Sequence, residues 1–372
     1  MTVTMLSLVA ASIFACSALA APVQEGRFTF YPVPTPLSGI CDLSEDPTRK
    51  FIWYEDILVN RVGRFNPATG EMRDFAIPFT TPVSNQSFPI PDALQQIVDR
   101  TAFSCAIRNG ADGNMYAANG DRNQLVRIRD QASENPKIDV LGPVDPTGNL
   151  FPFNDLYTTE DGLYITQTTG NTFEFYSFKD ETFTTYNVPT PLALPLGVFA
   201  ASNGFIYIPE LVGNKILEFQ PKTKQITEYP LPLPLQGPAV ARAEHDGKVY
   251  FSLFQGDGIG RIDITTKKIE LFNSGQPGGL GGVTTGPSKE GSVFGTYFTV
   301  NAISVLNTQT TEYNFIAFPG TFQQFIPQGG VLGDAPPYID VSAEYRDSEN
   351  ALYFGSILRN ALGKYDLNGT GY

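Results

Sequence analysis

Apolar and polar residues alternate in short runs along this chain, and each run is centred on an aromatic residue. The centres are Trp53 in FIWYED, Tyr116 in NMYAAN, Tyr164 in GLYITQ, Tyr207 in FIYIPE, Tyr250 in KVYFSL, Phe294 in SVFGTY and Tyr353 in ALYFGS. A period of two sends successive side chains to opposite faces of a strand, so the runs predict β-strands. From Tyr164 to Phe294 they recur about every 43 residues, the size of one four-stranded propeller blade. Wider gaps hold inserts, around residues 81–100 and 320–337. Seven runs predict an all-β, seven-bladed β-propeller, a single domain over residues 21–372.

A second position keeps the same register. Twelve residues after each centre stand Phe65, Ile128, Tyr176, Phe219, Ile262, Leu306 and Tyr365, all apolar. With the centre on one strand and this residue on the next, both are expected to face the space between neighbouring blades. Turns such as ADG, EDG, SNG, HDG and KEG precede the centres and give hairpins their backbone freedom. His245, the only histidine, belongs to one of them. Outer strands repeat as EMRDFAIP, ETFTTYNVP, QITEYPLP, KIELFNS and TTEYNFIAF, but the seventh unit lacks one. FTFYPVPTPLSG near the N-terminus reads as that missing strand and a connector. A strand at about residues 27–33 is therefore expected to pair with one around 362–366, closing the ring and removing its open edges.

Residues 1–20, MTVTMLSLVAASIFACSALA, form an uncharged apolar run ending Ala18-Leu19-Ala20, which reads as a secretory signal peptide. No later stretch is long and apolar enough for a membrane span. A secreted or secretory-lumen protein is expected. It would keep Cys41 and Cys105, as a disulfide in an oxidising compartment or as two buried thiols. Asn85-Gln86-Ser87 and Asn368-Gly369-Thr370 are glycosylation sequons. The 38 acidic against 25 basic residues give a net charge of −13. Such a surface repels nucleic acid and anionic membranes, which excludes both as partners, and a monomer is expected.

Propellers bind ligands at the mouth of the central channel. Three residues after each centre stand Asp56, Asn119, Gln167, Glu210, Leu253, Tyr297 and Ser356, near the end of the second strand. These strand ends either meet water or form a polar ring. In a ring, Asp56 and Glu210 could act as acid and base if their environments separate their pKa values, with Tyr297 bonding an oxyanion. The innermost strands start with mostly small or apolar residues, apart from Asn154 and Asp155. With Phe254 and Phe298 flanking, the mouth is expected to take a small apolar molecule, contacted also by Asn119, Gln167 and Ser356. There is no GxSxG elbow, HExxH or paired CxxC, which excludes His-dependent triads and a zinc site. GQPGGLGG precedes a strand, not a helix, and reads as a connector. A metal-free site is expected; the alternative is oxygen-only Ca²⁺ ligation by Asp56, Glu210 or Asp155.

FIWYED with VGRFNPATGEMRDFAIP, FIYIPE with KILEFQPKTKQITEYPLP, and GIGRIDITTKKIELF together resemble virginiamycin B lyase-like propellers, over essentially the whole mature chain. The resemblance implies metal-dependent elimination by histidines and glutamates at the channel mouth. Its Glu-type positions map onto Asp56 and Glu210, and its histidines have no counterpart, since His245 lies in a turn. The repeat also looks like calcium-dependent gluconolactonase-like propellers, which have six blades. It is similar as well to fungal secreted propellers of the hetero-Diels–Alderase type, which dehydrate an alcohol to a quinone methide and guide its cyclisation. That chemistry needs a shaped pocket and hydrogen-bond donors, not a metal. Three functions stand open: a metal-independent lyase or cyclase of an apolar secondary metabolite, a non-catalytic glycan- or protein-binding propeller, and a calcium-dependent lactonase or hydrolase.

Overall fold

The computed structural model describes residues 21–78, 105–142, 154–275, 281–297, 302–319, 340–357 and 359–372. They build seven antiparallel blades, and in blades one to six the strands run in chain order from the channel outward. Blade one is Ile40–Glu45, Ile52–Asp56, Arg61–Asn66 and Glu71–Ala76. Blades five and six are joined by a parallel bridge, Val240 to Val283, between their innermost strands. The helical content of the described residues is one short 3₁₀ turn, Gly120–Arg122.

Ring closure follows the sequence expectation. Phe28–Pro32 pairs antiparallel with Ala361–Asp366 as the outer strand of blade seven, Phe28 opposite Tyr365 and Pro32 opposite Ala361. A further strand, Val23–Glu25, folds back on it as a fifth, which the sequence pattern does not announce.

The seams between blades are the core, and the two aromatic registers build them. Trp53 pairs with Arg64, so Phe65, one residue on, lies on the opposite face of the blade. Each centre therefore meets the second-register residue of the next blade. Trp53 packs in one cluster with Ile128, Tyr116 with Tyr176, Tyr164 with Phe219 and Tyr207 with Ile262. Tyr250 shares a cluster with Leu306, Phe294 with Tyr365, and Tyr353 with Phe65. The last pair closes the circle.

A third repeat, missed in the sequence reading, ties blade to blade. Seven residues after the centres stand Asn60, Asn123, Asn171, Asn214, Asp257, Asn301 and Asn360. Asn171, Asn214 and Asn360 have left-handed φ of 56°, 53° and 52°, which asparagine tolerates better than most residues. Each carboxamide bonds the connector to the following blade. Asn171 Oδ1 accepts from Ala193 N at 2.8 Å, Asn214 Oδ1 from Gln236 N at 2.8 Å, and Asn360 Oδ1 from Ser38 N at 2.8 Å. The held connectors display Leu192, Leu235 and Leu37, exposed by 75%, 78% and 80%. All three leucines also have positive φ, between 53° and 54°.

Cys41 and Cys105 form a disulfide with Cα atoms 5.0 Å apart, tying blade one to the entry of blade two. It lies against Ile57 and Ile357. A buried disulfide fits an oxidising, secretory environment. No helix among the described residues is long and apolar enough to cross a membrane. The signal-peptide reading at residues 1–20 and the sequon at Asn85 lie outside the described residues. Asn368 is exposed, and its side-chain amide donates to Asp366 Oδ1 at 2.8 Å and to the Glu349 carbonyl at 3.2 Å.

Candidate functional site

The expected ring does not meet water, and pairing turns it away from the channel. Asp56 shares a strand face with Ile52 and Tyr54, and Glu210 with Ile206 and Ile208, so both point into seams. Asp56, Asn119, Gln167, Glu210 and Ser356 are fully buried. Gln167 donates to Asn123 Oδ1 at 3.3 Å and accepts from Thr172 at 2.5 Å, and Asn119 accepts from Arg122 at 3.4 Å. Tyr297 ends its strand, and Phe298 lies outside the described residues.

Asp56 and Glu210 sit in different seams, each coupled to its own neighbours. Burial pushes the Asp56 carboxyl well above the usual range, and Asp74 adds to the shift. Ser38 opposes it, but the Ser38 hydroxyl already bonds Asn360 Oδ1 at 3.0 Å and makes no well-formed bond to Asp56. Burial, and then the facing Glu228 carboxyl, raise Glu210 to about 8. Glu210 and Asp56 therefore do not form an acid–base pair across one mouth. No group of three or more potential metal-ligating side chains occurs among the described residues.

The innermost strands carry a different set of groups. Asp42, Arg108, Asp155 and Arg242 come from blades one, two, three and five and meet inside the channel. Arg242 reaches both acids: Nη1 lies 2.8 Å from Asp42 Oδ1, and Nη2 lies 2.8 Å from Asp155 Oδ1. Arg108 bonds Asp42 at 2.9 Å and Asp155 at 3.4 Å. Ser342 of blade seven donates to Asp42 Oδ1 at 2.6 Å, and the amides of Ile107 and Val198 donate to Asp42 and Asp155. Two guanidiniums against two carboxyls thus form a belt across the channel. Burial raises both acids, Asp155 to about 7, while Arg108 opposes the shift. Asp155 was expected at the mouth; it serves in this belt instead. Asn154 is buried beside it.

Above the belt the channel wall is apolar. Phe254 packs there with Leu196, Leu211, Ala239 and Val240. Below the belt lies a polar cavity of about 200 Å³, walled by the lower ends of the innermost strands. Arg108, Arg242, Asn109, Tyr157 and Glu344 are among its residues. The Glu344 carboxyl is in no ion pair among the described residues, and burial raises it to about 7 against the pull of Arg108. The Tyr157 hydroxyl is pushed up to about 12, again by burial and against Arg108. Arg242 Nε is buried without a hydrogen-bond partner. Sequence reasoning missed this cavity because it looked at strand starts. The signal was a charged residue at or beside five innermost strands, Asp42, Arg108, Asp155, Arg242 and Glu344.

The architecture is that of known seven-bladed propellers. The fold matches a streptogramin B lyase structure over 91% of this chain and 96% of that one, with a TM-score of 0.69 and 16% identity. Virginiamycin B lyase from Staphylococcus aureus matches over 91% and 99%, with a TM-score of 0.69 and 17% identity. The WD40 repeats of RRP9 also match, with a TM-score of 0.61, 9% identity, and coverage of 91% and 97%. Such identities establish the fold. No family model matches the chain, and no curated protein matches it.

Proposed function

We propose that the protein is a small-molecule lyase of the dehydrating kind, working in the cavity beneath the charged belt. The observation that carries this is Glu344: a carboxyl in no ion pair among the described residues, raised to about 7, lining a polar cavity together with the guanidiniums of Arg108 and Arg242. In a β-hydroxy carbonyl substrate, the Glu344 carboxylate takes the proton next to the carbonyl. The guanidiniums of Arg108 and Arg242 hold the oxyanion as it forms. The carbon–oxygen bond then breaks, the Tyr157 hydroxyl protonates the departing hydroxide, and water leaves. Glu344 returns its proton to Tyr157, so the groups are reset and one water is lost. Cyclising an apolar product would need apolar walls, and the described channel offers those around Phe254, above the belt.

The test is a panel of β-hydroxy carbonyl compounds, with elimination followed as conjugated-enone absorbance and loss of water by mass. Activity should rise with pH through about 7 as Glu344 deprotonates. Glu344→Gln should cost about 10²–10⁴-fold. A full rate in Glu344→Gln, or no elimination from any compound, would sink the proposal. The upper face favours a second reading, a protein-docking propeller. Leu37, Leu192 and Leu235 expose apolar surface in strained backbone, a combination that folding alone does not reward.

A further inference from the structure

We infer that the cavity beneath the belt is built to hold a neutral, polyhydroxylated ligand with the dimensions of one sugar ring. The inference takes this cavity as the working site and names the ligand class it selects.

Charge comes first. A cation entering the cavity would face the guanidiniums of Arg108 and Arg242. An anion would face Glu344, with Asp42 and Asp155 directly behind the arginines. Either sign meets both like and opposite charge at short range, so a net charge on the ligand gains little from one wall that the other does not oppose. A neutral ligand meets no such opposition.

Hydrogen bonding narrows the class further. The walls mix strong acceptors with strong donors: the Glu344 carboxylate and Asn109 carbonyl against the guanidiniums, the Tyr157 hydroxyl and the Thr285 hydroxyl. The guanidiniums are held by Asp42 and Asp155, but an apolar ligand would offer nothing to the Glu344 carboxyl or the Tyr157 hydroxyl, at about 1–3 kcal/mol for each group left without a partner. A ligand hydroxyl both donates and accepts, so adjacent hydroxyls can satisfy a carboxylate and a guanidinium side by side. The Glu344 carboxyl, held by the Glu45 backbone amide and by no cation, has acceptor capacity to spare.

Size closes the argument. The cavity volume of about 200 Å³ lies below the ~300–1,000 Å³ of sites for drug-sized ligands. It equals the liquid volume of about seven waters. One ring with its hydroxyls fits, and an oligosaccharide would have to extend outside.

The experiment uses the intact protein and sugars that cannot eliminate, so that binding is read apart from chemistry. Methyl glycosides of common hexoses and myo-inositol are titrated by saturation-transfer NMR and calorimetry, beside glucuronate and glucosamine. Saturable binding of at least one neutral polyol is expected, with the acidic and amino sugars about tenfold weaker or more. Glu344→Gln should weaken the neutral ligand by about tenfold while the melting curve stays cooperative. In wild-type protein, a bound ring should shift the Tyr157 ring signals, a readout that needs no variant. Tighter binding of glucuronate or glucosamine would overturn the inference, as would no saturation by any neutral polyol. Glycoside binding without elimination on the carbonyl panel would leave this inference standing and remove the lyase. Elimination without glycoside binding would do the reverse.

Discussion

At the residue scale, the most informative groups are carboxyls that burial has pushed towards neutrality. Glu210 rises to about 8, and Asp155 and Glu344 to about 7. The folded state binds these protons more tightly than the unfolded chain, where such groups titrate near 4. Their contribution to stability is therefore complete below the unfolded value and is lost as pH rises through 7 to 8. Glu210→Gln removes one of these titrations. It should match the parent near about pH 5 and exceed it near about pH 9 by on the order of a few kcal/mol, read by urea melts at both. A variant no more stable at the higher pH would mean that Glu210 is solvated. At this scale the sequence was only half legible. It marked Asp56 and Glu210 as special, and both are strongly perturbed. Which way a strand end points depends on pairing, and a position counted from one aromatic cannot reveal it.

At the element scale, each blade is a unit that repeats its fastenings. The aromatic registers were readable because a period of two and a fixed hairpin length survive every insert. The asparagine fastening was just as regular and went unread, because a turn asparagine has an ordinary local explanation. Only the structure shows its carboxamide reaching the next connector. Asn214 accepts from Gln236 N and donates to the Leu233 carbonyl, both at 2.8 Å, while holding φ at 53°. Asn214→Ala loses both bonds and places a poorly suited residue in left-handed backbone. A loss of about 2–3 kcal/mol in chemical denaturation is expected, with Asn171→Ala similar. A change under about 0.5 kcal/mol, the usual size of a surface substitution, would make the fastening ornamental.

At the scale of the whole molecule, the ring is held by its first and last strands together. Phe28 and Phe30 are buried in the seam between blades six and seven, and their strand completes blade seven. Removing residues 23–32 should leave Ala361–Asp366 as an open edge and take two phenylalanines from the core, each worth about 3–5 kcal/mol. A truncated protein that melts with the full-length one would refute that role. The same pairing imposes an order of events. Phe28–Pro32 has only the short Val23–Glu25 beside it until nearly the whole chain has been synthesised, on the order of tens of seconds at ordinary elongation rates. Through that interval an apolar edge strand waits beside six blades that already resemble its target. A neighbouring nascent chain offers an identical docking place, so one molecule's N-terminal strand can complete another's ring. Crowded expression should thus yield strand-swapped dimers, built from the contacts that close the monomer.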